Sequence, residues 1–499
     1  MSSKYNFQKI SHFKQVLEPT GEQKIPVVFH VSDELMPDDR TVDQLIEVAS
    51  DPRLFKQLVA LTDVSEKPGR RNAGGTVAAS EDYFLPQLLD TAPNCGMRLM
   101  TTPFDTESLT EEKIDQLFQE LVKVIPTKKY IGNYVPLNVV IDICQRGSRA
   151  LNEYLNYAPD QYQNIHSGGN MFEDEKPTKK DFYETLPAWF YRFGQFRLGI
   201  LGAAGNHFLD LMKVEEIMDN NLALKFNLKK GQYVFWIHTG SGLFGQYASY
   251  FYTPKIKEHL SQRIVWNLGR LTFLKKNIPW HQALKKEIPA YRDKKEFFAI
   301  KADSELGEKY FTAHRAGSNI GFANRTMIEF NLSQAIEKTL GKKNALDLVY
   351  DMNHVYAARE NHFGKDLWIH RQNTTRAFGP QRMAGTNFAE TGEPIFMPSS
   401  MSTAAYFGVG TDENEETFFS CAHGTGKSKE KTSEVPENKD ALLEKMNRRG
   451  VKLYNAKSKG VINQDAAHYK DPEIAIEGLK ENKIMKPVAK MRPVAVLMY

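Results

Sequence analysis

Lys230–Gly242, KGQYVFWIHTGSG, decides the fold. Its first half is a short apolar run rich in aromatic and β-branched residues and bounded by glycine, the pattern of a buried strand. Its second half is a glycine-rich turn, with His238 at the junction, so a sheet delivers a polar side chain into a loop where backbone can approach a ligand closely. KDLWIHRQNTTRAF (365–378) has the same plan, a strand followed by a polar loop. Around these, EEKIDQLFQELVKVI (111–125) has the spacing of an amphipathic helix. DDRTVDQLIEVASDPRLFKQLVAL (38–61) keeps roughly helical spacing at Val42, Leu45, Ile46, Leu54, Leu58 and Leu61, with a break near Asp51-Pro52. SQAIEKTLGKKNALDLVYDMNHVYAARENHF (333–363) reads as mostly helical, and KSKEKTSEVPENKDALLEKMNRRG (427–450) as an exposed charged loop over about 427–440 running into a helix.

The bulk numbers narrow the classes. The 499 residues carry 65 basic and 61 acidic side chains, a formal charge of +4, so any nucleic-acid binding must come from local basic patches. No stretch reaches the roughly 18 apolar residues that span a bilayer, and MSSKYNFQKISHFKQ lacks the apolar run of a signal peptide. Three cysteines, Cys95, Cys144 and Cys421, make no disulfide framework and suit a reducing cytoplasm. Cys144, in NVVIDICQRG, and Cys421 read as buried packing.

Among 13 histidines, His12, His30, His166, His259, His281, His314 and His362 stand in ordinary contexts and read as structural. Four differ: His207 in GAAGNHFLD, His238 in FWIHTGSG, His354 in DMNHVYAARE and His423 in SCAHGTGKS. Cys95 lies in the similarly tight APNCGMR. Imidazole and thiolate together suit a borderline-soft divalent ion such as Mn, Zn, Co or Ni, and a thiolate can bridge two ions. The spacings match no short-range zinc pattern. AHGTGKS is no phosphate-binding P-loop, because Cys421 stands where the first glycine belongs. The ligands spread from residue 95 to residue 423, so one interwoven domain is expected. The fold class is α+β: a single large domain with mixed β-sheets packed against helices around a central metal-binding cleft.

The ordered motifs resemble the RtcB-type RNA-splicing ligases. DVSEKPGRRNAGGTVAAS (63–80), NCGMRL (94–99), GNHFLD (205–210), HTGSGLFG (238–245), HRQNTTRAF (370–378), SSMSTAAYFGVGT (399–411) and CAHGTGK (421–427) are each similar to a family block, in the family's order, from about residue 60 onward. The resemblance implies that residues 61–499 form the catalytic domain, with residues 1–60 an α/β segment packed on it. It implies manganese, one ion or two, with Cys95 bridging the two ions of the family, His207 ligating one of them, and His238 and His354 the other. His423 would attack the α-phosphate of GTP to form a covalent guanylate. Asn206, Asp210 and Ser400 would help hold nucleotide and RNA phosphate, Tyr469 would stack near guanine, and Lys427, Arg371 and Arg376 would clamp phosphates. The implied partner is RNA with broken ends (tRNA or rRNA), handled by a monomer or weak oligomer in the cytoplasm, off the membrane, with a protein activator where the family needs one.

The chain departs from the family at defined positions. Ala92 replaces the acidic ligand three residues before Cys95, with Asp90 two residues earlier as the substitute donor. Gly242, Asp210, Gln372, Ala405 and Met498 replace Arg, Glu, Lys, Ser and a near-terminal Lys that contacts guanine. These changes describe a divergent member. They leave three functional classes to separate: a ligase, a metal-dependent RNA-end phosphohydrolase or nucleotidyltransferase that does not seal, and a non-catalytic RNA-binding relative.

Overall fold

A computed structural model describes residues 4–67, 69–127, 131–158, 161–173, 175–202, 206–252, 297–428 and 430–499, together with residues 260 and 264. Among them, most strands fall into two large mixed sheets. The first has the order Gln8–Ser11, Lys14–Leu17, Val27–Phe29, Leu54–Ser65, Gly74–Ser80, Lys365–Gln372, Val355–His362. The second has the order Asp347–Asn353, Gly96–Asp105, Gln232–Thr239, Phe208–Ile217, Met485–Met498, Ala405–Gly410, Pro394–Met397, with Lys452–Tyr454 also paired to Met485–Met498. The α+β class and the single interwoven body expected from the sequence are therefore observed. Strands from residues 8–29 pair directly into the first sheet.

Two segments differ from their expected helices. The helix at 38–61 covers only Asp39–Ala49, capped by the Asp38 carboxylate accepting from Thr41 N–H, and Leu54–Ser65 is a strand. Past Pro52 the run LFKQLVALTDVS pairs along both edges with Val27–Phe29 and Gly74–Ser80 and is buried on both faces from Leu58 to Val64, so tertiary pairing overrides the helical spacing. Likewise, helix Glu305–Leu340 stops at Gly341, whose φ of +67° is the left-handed conformation that ends helices, and 347–362 form two strands. The strand Gln232–Thr239, the helix Glu111–Val124, and the exposed run ahead of helix Lys439–Arg448 follow the sequence pattern.

The 36-residue helix Glu305–Leu340 is buried around most of its circumference, as a central helix must be. It carries Arg325 and Glu329, which are fully buried. Asp351 accepts from Arg98 Nε and from Arg325 Nε, each at 2.8 Å, while Glu329 accepts from Arg98 at 2.7 Å. Two cations thus face two anions at 0–1% exposure, with Arg98 and Asp351 opposite one another across paired strands. Removing one member of such a set strands a buried charge. Asp351→Ala is expected to cost about 3–5 kcal/mol, read as a lower urea midpoint; an unchanged midpoint would show that the network contributes little.

Candidate metal centre and the cleft beside it

The second sheet brings its histidines together by simple register. Gly96 and Phe208 open their strands, whereas Thr239 and Asn353 close theirs. The pairs Gly96↔Thr239, Gly96↔Asn353 and Phe208↔His238 align these ends along one sheet margin. Cys95, His207, His238 and His354 sit at or beside those ends. His354 also occupies the crossing from the second sheet to the first; its N–H donates to Cys95 O at 3.0 Å. Gly240 permits the closest approach, since a Cβ there would lie 2.8 Å from Cys95 Cα.

Cys95 Sγ lies 3.3 Å from His207 Nε2 and 3.5 Å from His238 Nε2, and His238 Nε2 lies 3.1 Å from His354 Nε2. Donor atoms of Cys95, His207 and His238 all fall within 4.8 Å of one another, so one divalent ion fits between them. The opposite ring nitrogens are fixed: His207 Nδ1 is 3.0 Å from Leu201 O and His238 Nδ1 is 3.0 Å from Asn206 O. Nδ1–H donation to these carbonyls turns each Nε2 lone pair toward the shared centre. Burial lowers the pKa of His207 to about 4 and drives those of His238 and His354 well below the usual range, which keeps the rings in the neutral, ligating form. Burial pushes the Cys95 thiol up to about 12, with Arg325 the strongest opposing influence; a bound ion would offset that penalty.

Beneath the cluster, Arg325 donates to Thr239 O at 2.8 Å, to Asn94 O at 3.2 Å and to Asn94 Oδ1 at 2.8 Å. Asn94 has φ +54°, a strained conformation that these bonds hold in place. Its neighbour Asn324 donates to Ile200 O and Gly240 O, each at 2.9 Å. One helical dipeptide therefore fastens the backbones that carry Cys95 and His238.

His423 follows the short strand Ser420–Ala422 and stacks on His354, with ring centroids 4.3 Å apart. Its Nδ1 is 2.6 Å from Asp63 Oδ2. The chains touch because residue 426 is glycine at φ +76°, where a Cβ would lie 2.6 Å from Asp63 Cα. Lys470, buried below, donates to Thr62 O at 2.8 Å and Val64 O at 3.1 Å and so brackets Asp63; burial pulls its pKa down to about 8. A cleft of about 400 Å³ opens over His423, and its walls include Asp63, Asn206, Asp210, Ser400, Lys427 and Tyr469. Asp210 Oδ1 has no hydrogen-bond partner among the described residues, and burial raises the pKa of this carboxyl well above the ordinary value. Lys427 Nζ lies 5.6 Å from the Tyr469 ring centroid, and burial lowers its pKa.

Three expected site residues are engaged by other partners. Asp90 lines a cavity whose wall includes Cys95 and His207, but it pairs with Arg70 at 3.0 Å and Lys67 at 3.8 Å and is not in the cluster of Cys95, His207 and His238. Burial alone would raise its pKa, but these two cations hold it down. Arg371 is fully buried, bound to Glu360 and to Ser420 Oγ, so it anchors the strand carrying His423 instead of reaching the cleft. Arg376 is spent on Glu393 at 2.9–3.1 Å. Conversely, Asp63, Asn324, Arg325 and Lys470 went unmarked in the sequence. For Asp63 the available signal was a lone carboxylate near the end of the apolar strand LVALTDV; for the helical pair there was none. Cys144 and Cys421 are buried, as expected, His259 and His281 lie outside the described residues, and no described helix is long and apolar enough to cross a membrane.

The family model described as "tRNA-splicing ligase RtcB" matches residues 44–498. The chain is 28% identical to the tRNA-splicing ligase RtcB of Nanoarchaeum equitans over 98% of each chain. It is 29% identical to that of Methanococcus maripaludis over 91% of this chain and 90% of the relative. The figures for the Thermococcus kodakarensis protein of the same name are 28%, 95% and 94%.

The donor geometry makes a direct forecast. Cys95→Ser and His207→Ala should each abolish stoichiometric retention of a divalent ion after dialysis, measured by plasma mass spectrometry. Arg325→Met, which removes only the support, should weaken binding about 10–100-fold. Full retention by Cys95→Ser would refute the cluster as a metal centre.

Proposed function

Since the chain belongs to the RtcB family of tRNA-splicing ligases, we propose that it seals RNA ends bearing a 3′-phosphate or 2′,3′-cyclic phosphate to 5′-hydroxyl ends, using GTP and manganese. The observation that carries this proposal is the Asp63–His423 pair at the floor of the cleft, one stacking distance from the metal-binding histidines. With Nδ1 engaged by a carboxylate, His423 presents Nε2 as its nucleophilic nitrogen.

His423 Nε2 bonds to the α-phosphorus of GTP while the bond to the bridging oxygen breaks and pyrophosphate departs with that electron pair. Asp63 accepts a hydrogen bond from Nδ1–H throughout and steadies the positive charge that develops on the ring. His423 then passes the guanylyl group to the RNA 3′-phosphate, a cyclic end having first been hydrolysed. The 5′-hydroxyl of the second strand attacks the activated phosphorus and GMP leaves. Lys427 supplies the cation for the nucleotide's phosphates. Asp210 offers an unsatisfied carboxyl, and Tyr469 an aromatic face, to the base. Held by Cys95, His207, His238 and His354, a divalent ion would supply Lewis-acid stabilisation of phosphoryl charge.

Incubation with α-labelled GTP and manganese, followed by denaturing electrophoresis, should give a labelled, acid-labile protein band that His423→Ala abolishes. Absence of any adduct, together with cyclic-phosphate opening that survives His423→Ala, would replace ligation with simple phosphohydrolysis.

A further inference from the structure

The cluster separates two cavities, and the nucleotide chemistry just described occupies one of them. The second, of about 500 Å³, shares Lys67, Asn206 and Asn373 with the first, has Cys95 and His207 in its wall, and is lined by Lys67, Arg70 and Arg197. Among the described residues that line it the one acid is Asp90, already paired with Arg70 and Lys67. Two paired chain segments form a lip that enters the cavity wall at Arg197 of the second segment. Gly132 N–H donates to Phe196 O at 2.9 Å, Asn133 N–H to Leu198 O at 2.8 Å and Val135 N–H to Gln195 O at 2.8 Å. The second segment continues through Ile200 to Gly202, both in the cavity wall, where a Cβ on Gly202 would lie 2.7 Å from His207 Nδ1. The lip thus leads straight to a ligand of the metal centre.

Three large apolar side chains stand in water on this lip: Ile131, Tyr134 and Phe196, at 67%, 57% and 44% exposure. The Tyr134 and Phe196 rings are 5.1 Å apart and tilted by 47°. Next along the chain, the Arg197 guanidinium lies 3.7 Å from the Phe193 ring centroid. Isolated exposed apolar residues need no explanation, but a cluster beside a cationic hollow does. Such a surface suits a partner with both flat faces and negative charge.

We infer that this lip is a stacking platform for a single-stranded RNA end. Its terminal bases rest on Tyr134 and Phe196, while its phosphates pass Arg197 into the second cavity toward Cys95 and His207. The inference builds on the ligase proposal and names where the strand enters. RNA is favoured over a protein partner because the aromatic faces are continuous with a cavity of matching charge that ends at the reacting centre. Base–aromatic stacking tolerates any sequence and is lost ring by ring.

Two measurements on the full-length protein test it. For a short fluorescent single-stranded RNA, Tyr134→Ala and Phe196→Ala should each weaken binding roughly tenfold, and Arg197→Ala should lower the salt slope of binding by about one. Guanylate formation by the two aromatic variants should match the wild type, because neither residue lines the nucleotide cleft. In the unaltered protein, RNA carrying a terminal photoreactive 4-thiouridine should crosslink to the peptides holding Tyr134 or Phe196. Wild-type RNA affinity in the folded double variant, or crosslinks mapping only elsewhere, would overturn the platform and leave the ligase proposal standing. Failure of the wild type to form a guanylate would strike the ligase proposal alone, since the binding and crosslinking results do not depend on it.

Discussion

A buried positive charge organises this molecule. Arg325 has no exposed surface, so its guanidinium must find its partners inside the protein, and it finds them in Asp351 and in the carbonyls of Asn94 and Thr239. An arginine fork satisfied in this way fixes direction as well as distance. The consequence is that the long central helix, the strand ending at Thr239, the strand ending at Asn353 and the turn before Gly96 share one set of positions. Four ligands from four remote parts of the chain can converge only if those positions are rigid. The cost of burying such a set is justified by specificity more than by net stability.

From that constraint the two kinds of site residue separate cleanly. The candidate metal donors are placed by sheet register, at the aligned ends of neighbouring strands. His423 is placed by a different device, a short strand fastened by Arg371 to Ser420 and a glycine turn lying on Asp63. His354 joins the two, being both the crossing between the sheets and the ring on which His423 stacks. Because the crossing residue touches both His238 and His423, movement of one sheet against the other would alter the candidate metal centre and the approach of His423 together.

How much of this could be read from the amino-acid sequence depends on the range of the physics involved. Gln232–Thr239 was legible because an apolar run ending in His-Thr-Gly-Ser-Gly is a local pattern, and the order of motifs exposed the donors and His423. Leu54–Ser65 was not, because its spacing satisfies a helix until neighbouring strands pair with both its edges. Strands 347–362 were hidden for the same reason, behind a genuine helix that Gly341 ends. Arg371 and Arg376 looked like phosphate clamps by residue type alone; only tertiary structure shows Glu360 and Glu393 waiting for them. Asp63 and Arg325 act over hundreds of residues of sequence separation, where no periodicity reaches.

The departures from the family pattern also acquire a location. Ala92 and Gly242 line the second cavity, and Asp210, Ala405 and Met498 line the cleft over His423. Gln372 accepts a hydrogen bond from Asp90 N–H at 2.6 Å, so it and the altered acidic position form one local rearrangement that ties Asp90 to Arg70 and Lys67. None of these substitutions falls on the converging donors, on His423 or on the Asp63 carboxylate. A wall can change residue by residue, since each side chain there answers to a ligand's shape. The side chains that converge around Cys95 are more constrained, since they answer to one another and to a buried charge network. Divergence therefore spares Cys95, the four histidines and Asp63, and falls on the residues around them, the acidic position now held by Ala92 among them.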